Sequence, residues 1–238
     1  MNELEDFIMR RPPTAERPLL GLTVLVVEDS RFTCEALRLM CLRSGARLRR
    51  ADSLGSARKH LRVYRPSVAI VDLGLPDGSG ADLIATLSAA TPRVPVILGT
   101  SGDTGGRDAT LNAGADGFLA KPLGALGEFH EAILSKLPAE ARPSGPRPVI
   151  GDHVAPDEIA LRDDLAHAAN LLQSPLPRLP VTYAVQFLAS IARAAGDYTL
   201  LEAAEELGEH HGAGSDVGPS INRISAMIEA RLAQTAVV

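Results

Sequence analysis

Aromatic side chains are scarce in this chain of 238 residues, where they make up 3% of the composition and tryptophan is absent. Since 45% of the residues are hydrophobic, the chain can still bury a core, but that core must be aliphatic. No stretch approaches the roughly 18 apolar residues of a membrane span. The N-terminal segment Met1–Phe7 is acidic and lacks the apolar stretch of a signal peptide. We therefore expect a cytoplasmic protein with no membrane partner.

Cysteine is nearly absent, since the chain has only Cys34 and Cys41. The seven-residue spacing places them about 10 Å apart along a predicted helix with its rise of about 1.5 Å per residue. That separation is too large for a disulfide bond. We expect both thiols to pack as small apolar groups in a reducing compartment.

An excess of positive charge is also missing, because the net charge is −5. The imbalance lies in the last part of the chain, where residues 152–238 carry twelve acidic and five basic side chains. A DNA-binding domain usually presents a basic surface to the phosphates. The charge therefore argues against nucleic acid as a partner, and a DNA-binding transcriptional regulator is the less favoured alternative.

Between residues 22 and 137, short apolar runs alternate with segments of helical periodicity. The run Val68–Val71 is apolar without interruption, as in a strand that is buried on both faces of a parallel sheet. Five such strand–helix units predict an α/β fold with a five-stranded, doubly wound parallel sheet. The predicted strands cover residues 22–29, 46–51, 68–72, 96–100 and 116–120, and the helices cover 31–43, 52–64, 81–90, 101–114 and 124–137.

The remaining segments differ in composition from this α/β part. We predict an N-terminal arm at 1–20, the α/β domain at 21–138, and a linker rich in proline and glycine at 139–155. Residues 156–238 show helical periodicity alone, with candidate helices at 157–173, 181–195, 198–210 and 220–235. Four helices of this length favour a small antiparallel bundle.

Polar residues follow several of the predicted strands and should meet at one edge of the sheet. Carboxylates crowded at that edge repel one another, and a hard divalent cation such as Mg²⁺ relieves the repulsion. The single carboxylate that ends the third strand, Asp72, can then act as a nucleophile toward phosphorus. Charge neutralisation and positioning are what phosphoryl transfer mainly needs. The residues expected in this pocket are Glu28, Asp29, Asp72, Thr100 and Lys121.

Four segments, in this order and spacing, resemble the receiver domain of two-component response regulators. They are Val-Val-Glu28-Asp29-Ser, Val-Asp72-Leu-Gly-Leu-Pro-Asp-Gly-Ser-Gly, Pro-Val-Ile-Leu-Gly-Thr100 and Gly-Ala-Asp-Gly-Phe118-Leu-Ala-Lys121-Pro. The resemblance covers residues 22–137 and implies a flavodoxin-like sheet of order 2-1-3-4-5. It also implies that Asp72 accepts phosphate from a histidine kinase or a phosphotransfer protein.

The resemblance also implies roles for the neighbouring residues. Glu28 and Asp29 would lie at a Mg²⁺ site, with Asp29 as the direct ligand and the Gly74 carbonyl oxygen as another ligand. Lys121 would pair with the phosphoryl group. Thr100 and Phe118 would form a switch pair, in which Phe118 responds through burial of its ring because it has no hydroxyl.

Some alternatives remain open at this stage. Ser101 follows Thr100 and offers a second hydroxyl to the phosphate, although Thr100 is favoured. Phe118 is also compatible with an ordinary core position, and Lys121 alone with an ordinary exposed lysine. We expect no enzymatic output, and at most slow self-catalysed phosphorylation and dephosphorylation of Asp72.

The helical part, residues 156–238, carries no family resemblance of its own. We expect it to bind a downstream protein or a second copy of the chain when the receiver is phosphorylated. Alternatively, the helices form a phosphotransfer module with His167 as its phosphorylated residue, but the Lys and Gly usual near such a histidine are missing. His210 and His211 end a predicted helix without metal-site spacing to other ligands, so no zinc site is predicted.

Overall fold

The computed structural model describes residues 12–143, 157–173 and 181–234. It divides into two units. The first comprises residues 1–29 and 36–155, and the second comprises residues 30–35 and 156–238. The predicted linker at 139–155 is described only as far as residue 143, and residues 1–11 of the predicted arm lie outside the described residues.

A five-stranded parallel sheet forms the centre of the first unit. Its strand order is β2-β1-β3-β6-β7, which confirms the predicted order 2-1-3-4-5 when only the strands of this sheet are counted. A separate two-stranded antiparallel hairpin, β4–β5, follows β3 directly. The strands are β1 Thr23–Val27, β2 Arg47–Ala51, β3 Val68–Asp72, β4 Gly74–Leu75, β5 Gly78–Ser79, β6 Val96–Ser101 and β7 Gly117–Ala120.

All five residues of β3 are buried. Since successive side chains of a strand point to opposite faces, both faces of the sheet must be covered, as predicted. The core is aliphatic, with Leu25, Ile84 and Ile97 fully buried. Helices α1 Arg31–Ser44, α2 Leu54–Val63, α3 Gly80–Ala89 and α4 Gly106–Asn112 connect the strands, and α5 Leu126–Leu134 and a 3₁₀ turn at Ala139–Ala141 follow the last strand.

Helix α4 is shorter than the predicted helix over 101–114. Strand β6 continues through Ser101, whose hydroxyl accepts a hydrogen bond from the N–H of Asp103 at 3.0 Å. This local bond favours a turn at the point where the helix was expected to start. Helix α5 also covers less than the predicted 124–137.

Leu19 lies near the end of the predicted N-terminal arm, yet it is fully buried. Its N–H donates a hydrogen bond to the carbonyl oxygen of Ser44, the last residue of α1, at 3.0 Å. The chain is therefore fixed to the first unit before β1 begins.

Both cysteines lie on α1, where both are buried and neither forms a disulfide bond, as predicted. Burial raises the pKa of the Cys41 thiol to about 12. Because the thiolate is the reactive form, Cys41 is a packing residue.

Four helices make up most of the second unit, where the sequence predicted an all-helical region. Each helix packs against two of the others, so they form a closed four-helix arrangement. Leu188, Ala204 and Ile228 lie fully buried at its centre. The helices are α6 Glu158–Gln173, α7 Val181–Ala195, α8 Tyr198–Gly212 and α9 Gly218–Gln234. Over the described ranges, every helix is too short or too polar to cross a bilayer.

Candidate functional site

Asp72 is the last residue of β3, the central strand of the sheet. It lies opposite Thr100 of β6 in the parallel ladder, and it is only 6% exposed. The strand places a carboxylate at the carboxyl edge of the sheet, where open α/β folds bind their ligands.

Two more carboxylates lie beside Asp72, as the sequence predicted. Glu28 and Asp29 directly follow β1, the strand next to β3. One oxygen of each of the three carboxylates lies within 4.8 Å of the others. Glu28 is buried, whereas Asp29 is half-buried and thus closer to solvent.

The cation of the cluster is Lys121, which directly follows β7. Its Nζ lies 2.8 Å from Oε2 of Glu28 and 3.2 Å from Oδ1 of Asp72. The Lys121 side chain is 1% exposed, so the reading of this residue as an ordinary exposed lysine is wrong. Lys121 bridges two of the three carboxylates.

Burial dominates the electrostatics of the pocket. It raises the pKa of Glu28 well above its ordinary value, and the nearby Asp72 carboxylate raises it further, against the opposing effect of Lys121. Burial also raises the pKa of Asp72, while Lys121 and the N–H groups of Leu73 and Gly74 act to lower it. Burial alone would lower the pKa of Lys121, but the carboxylates of Asp72 and Glu28 raise it. The pocket therefore holds three carboxylates against the single ammonium of Lys121.

The donor set fits Mg²⁺, which prefers a few carboxylate oxygens and completes its shell with water and phosphate oxygens. Within the described part of the chain, Glu28, Asp29 and Asp72 are a cluster whose oxygens are close enough to share one ion. Asp29 is half-buried whereas Glu28 and Asp72 are buried and paired with Lys121, so Asp29 is the carboxylate that an incoming hydrated cation reaches most easily.

The hydroxyl of Thr100 is fully buried and has no hydrogen-bond partner among the described residues. A buried hydroxyl without a partner is costly, so it is available to a ligand. The Ser101 hydroxyl, the alternative, accepts a hydrogen bond from the N–H of Asp103, and Ser101 lies one residue beyond Thr100, which pairs with Asp72 in the ladder. This difference favours Thr100 as the hydroxyl that meets a phosphoryl oxygen.

Phe118, the second member of the predicted switch pair, lies on β7 opposite Gly99 and is half-buried. Together with Arg107 and Phe129 it lines a cavity of ≈ 260 Å³. The ring therefore has space beside it in which its burial can change.

Asp77 was not singled out in the sequence, although it lies five residues after Asp72. Its two carboxylate oxygens accept hydrogen bonds from the N–H groups of Leu54 and Gly55, at 2.7 and 2.8 Å. These are the first two residues of α2, so Asp77 ties the β4–β5 hairpin to that helix. An aspartate in a turn is a weak sequence signal, and only the fold identifies its partner.

Gly80 is held against the backbone of Asp72. A Cβ atom added at Gly80 would lie 1.9 Å from the Asp72 carbonyl oxygen. The N–H of Gly80 also donates to the carbonyl oxygen of Leu73 at 3.0 Å. Only glycine permits this close approach, and it fixes the chain that follows Asp72.

The histidines of the helical unit lie on helices that are separate from this pocket in sequence. His167 is exposed on α6, and its ring contacts Phe187 edge-on with 5.3 Å between the ring centroids. His210 and His211 lie in the last turn of α8, and Nδ1 of His210 lies 3.0 Å from the Ser220 hydroxyl.

Comparison with known proteins gives a family for the first unit. Residues 24–134 match the response regulator receiver domain family. Among curated proteins, the chain is 31% identical over 127 residues to the KDP operon transcriptional regulatory protein KdpE of Escherichia coli K12, covering 53% of this chain and 56% of that protein. It is 33% identical over 124 residues to the virulence transcriptional regulatory protein PhoP of Salmonella typhimurium 14028s, covering 51% of this chain and 52% of that protein.

The chain thus spans about half the length of the curated relatives it matches. Among solved structures, it is similar to a CheY-like response regulator receiver domain protein from Methanospirillum hungatei JF-1. The TM-score is 0.43 and the identity is 23%, over 48% of this chain and 92% of the other. The matched family and the strand order agree with the resemblance found in the sequence. The chain therefore contains a response regulator receiver domain at residues 24–134.

Proposed function

We propose that this protein is a phosphorylation-controlled signalling protein in which Asp72 accepts a phosphoryl group from a histidine kinase or a phosphotransfer protein. The observation that carries the proposal is the buried Asp72 carboxylate, with the Lys121 ammonium 3.2 Å away and the carboxylates of Glu28 and Asp29 beside it. A neutral packing role would not require one ammonium and three carboxylates at the edge of a sheet.

The proposed reaction is a phosphoryl transfer to one Asp72 oxygen. That oxygen attacks phosphorus, the bond between phosphorus and the donor's imidazole nitrogen breaks, and its electron pair stays on that nitrogen. Mg²⁺ held by Asp29, Asp72 and the Gly74 carbonyl oxygen would supply positive charge next to the phosphoryl oxygens. Lys121 already lies close enough to pair with one such oxygen, and the Thr100 hydroxyl donates to another.

The consequence of phosphorylation is a change of protein contacts. The new group brings about −1.5 to −2 charges and three acceptor oxygens. Thr100 and Lys121 move toward it, and the segment between them includes Gly102, Gly105 and Gly106, which rearranges at low cost. The Phe118 ring then becomes more or less buried. In response, the helical unit changes the protein that it binds, which is either a downstream partner or a second copy of the chain. The protein itself catalyses no further reaction in this proposal.

Regulation of transcription is the second candidate, and the names of the two curated relatives favour it. Against it stands the excess of acidic over basic side chains in residues 152–238. A gel-shift titration with fragmented genomic DNA, with and without beryllofluoride, separates the two candidates. Retention of specific fragments at physiological salt would support transcriptional regulation.

The proposal is tested by incubating the full chain with acetyl phosphate and Mg²⁺ and measuring the intact mass. We expect one added phosphoryl group that is labile to base and to hydroxylamine. Asp72→Asn should remove it, whereas the matched control Asp82→Asn, at an exposed position in the first turn of α3, should retain it. Full labelling of Asp72→Asn would reject Asp72 as the acceptor.

A further inference from the structure

Asp164 of α6 is a buried acid, with only 2% of its surface exposed. Its carboxylate meets residues 30–35, which belong to the same unit. It accepts hydrogen bonds from the Ser30 hydroxyl at 2.8 Å, from the N–H of Arg31 at 2.9 Å and from the N–H of Phe32 at 3.0 Å. Each oxygen of the carboxylate is used, since Oδ1 binds Arg31 and Oδ2 binds the other two donors.

These donors form the first turn of α1. The first N–H groups of a helix have no partner within the helix, and the positive end of its dipole favours an anion there. Ser30 caps the turn locally by accepting from the N–H of Thr33 at 3.0 Å. Asp164, more than 130 residues later in the chain, satisfies the N–H groups that Ser30 leaves open. Burial of an ionised carboxylate is tolerated when hydrogen bonds compensate for the lost water, as they do here.

The hydrogen bonds of Asp164 matter for the acidic pocket because the turn that they hold directly follows two of the pocket's carboxylates in the chain. Ser30 directly follows Glu28 and Asp29, and only three residues separate the end of β1 at Val27 from the start of α1 at Arg31. The strand fixes one end of this short connection, and Asp164 fixes the other end. The connection itself carries Asp29, the expected metal ligand.

We propose that Asp164 is a positioning residue for the Mg²⁺-dependent phosphorylation of Asp72, acting through the Glu28–Arg31 connection, an inference that rests on the proposed function. It gives the helical unit a role that the receiver family match, which ends at residue 134, does not assign. The hydrogen bonds of Asp164 reduce the motion of Ser30, Arg31 and Phe32, the residues that directly follow Asp29 in the chain.

The test uses the full chain and three variants, Asp164→Ala, Asp164→Asn and Asp163→Asn. Asp163 is the matched control because it is the adjacent acid, its side chain is 44% exposed, and its partner is the exposed guanidinium of Arg31. Mg²⁺ affinity is measured by calorimetry, and amide exchange at Arg31 and Phe32 by nuclear magnetic resonance. Unfolding temperatures are recorded for each variant.

We expect Asp164→Ala to weaken Mg²⁺ binding about tenfold, the lower end of the effect of a residue that orients a metal ligand. Amide exchange at Arg31 and Phe32 should accelerate, and acetyl phosphate should label Asp72 more slowly. Asp164→Asn, which keeps the shape and one acceptor oxygen, should have a smaller effect in the same direction. Asp163→Asn should leave Mg²⁺ affinity within about twofold, since an exposed ion pair contributes little.

A double-mutant cycle on Mg²⁺ affinity distinguishes a positioning role from a purely structural one, because a loss of stability alone would leave Mg²⁺ affinity unchanged. Ser30→Ala and Asp164→Ala should weaken Mg²⁺ binding by less together than the product of their separate effects, because they remove one shared contact. Unchanged Mg²⁺ affinity in folded Asp164→Ala and Asp164→Asn would overturn the proposal, whatever their unfolding temperatures. Mg²⁺ affinity also separates this inference from the proposed function. If the wild-type protein binds Mg²⁺ but Asp72 takes no phosphoryl group, the proposed function fails. The effect of Asp164 on Mg²⁺ binding can still be measured in that case.

Discussion

Glu28 and Lys121 form a buried ion pair in which Oε2 and Nζ are 2.8 Å apart. Because of this pairing, the two adjacent acids at the end of β1, Glu28 and Asp29, have different roles. Glu28 neutralises the lysine, while the half-buried Asp29 keeps its carboxylate closer to solvent, where a hydrated cation enters.

Asp29→Asn should weaken Mg²⁺ binding at least about tenfold, because a direct ligand loses its charge, as expected for a hard cation with oxygen ligands. Glu28→Gln should have a smaller effect, because its carboxylate serves Lys121. Calorimetric titration is the suitable measurement, since the chain has no tryptophan to report binding by fluorescence. Equal small losses in both variants would mean that the cluster does not bind the ion in this way.

The free energy of unfolding should depend on pH because two carboxyl groups, Glu28 and Asp72, are buried. The pKa values of Glu28 and Asp72 are raised in the folded protein, so the folded state holds these protons more tightly than the unfolded chain. Their contribution to the free energy of unfolding is therefore full below the ordinary carboxylate pKa of about 4 and is lost as pH rises toward the raised values.

The Glu28→Gln variant lacks one of these two groups, so its unfolding temperature should fall less than that of the wild type as the pH rises above the ordinary carboxylate pKa. The comparison is made in EDTA, by thermal unfolding at several pH values. Asp197, whose pKa is lowered by the guanidinium of Arg231, contributes with the opposite sign, but equally in both proteins. Parallel pH curves for the two proteins would contradict the prediction.

Thr100→Val should separate stability from signalling. Valine has a similar shape and removes a buried hydroxyl without a partner, so the free energy of unfolding should be unchanged or increase by up to about 1 kcal/mol. At the same time, the hydrogen-exchange response to beryllofluoride in residues 101–118 should be lost. Ser101→Ala is the control: it loses a hydrogen bond to Asp103, costs about 0.5–1.5 kcal/mol, and should keep the response.

Asp77→Asn should slow the labelling of Asp72 by acetyl phosphate. The variant keeps one acceptor oxygen but loses one of the two hydrogen bonds to the start of α2, so the β4–β5 hairpin becomes more mobile. This hairpin includes Gly74, whose N–H helps to hold the Asp72 carboxylate. We expect a loss of severalfold in the labelling rate and about 1 kcal/mol in stability. An unchanged rate in the folded variant would show that the hairpin needs no such support.

The sheet and the main pocket were predictable because they depend on local patterns. Val68–Val71 is apolar without a break and ends at Asp72, and a parallel sheet brings the ends of its strands to one edge. Glu28, Asp29, Thr100 and Lys121 could therefore be assigned to that edge from the sequence alone. Their order in the chain also carried the resemblance to receiver domains.

Pairings between distant polar residues were not predictable. Asp77 and Asp164 are both aspartates that bind N–H groups at the start of a helix, which lie 22 and 23 residues away for Asp77 and 132 and 133 residues away for Asp164. Nothing in their neighbours identifies those helices, because the pairing depends on tertiary packing. The start of α4 was misplaced for a similar reason, since β6 extends into Ser101, whose hydroxyl then forms a turn.

The burial of Leu19 sets where a functional fragment can be cut. A fragment that begins at β1 loses this side chain, leaves a leucine-sized hole and deprives the Ser44 carbonyl oxygen of its donor. Removal of a buried leucine typically costs about 2–5 kcal/mol. Affinity tags, fusion partners and proteolytic sites are therefore best placed before residue 14, where Thr14 begins the turn that leads to Leu19.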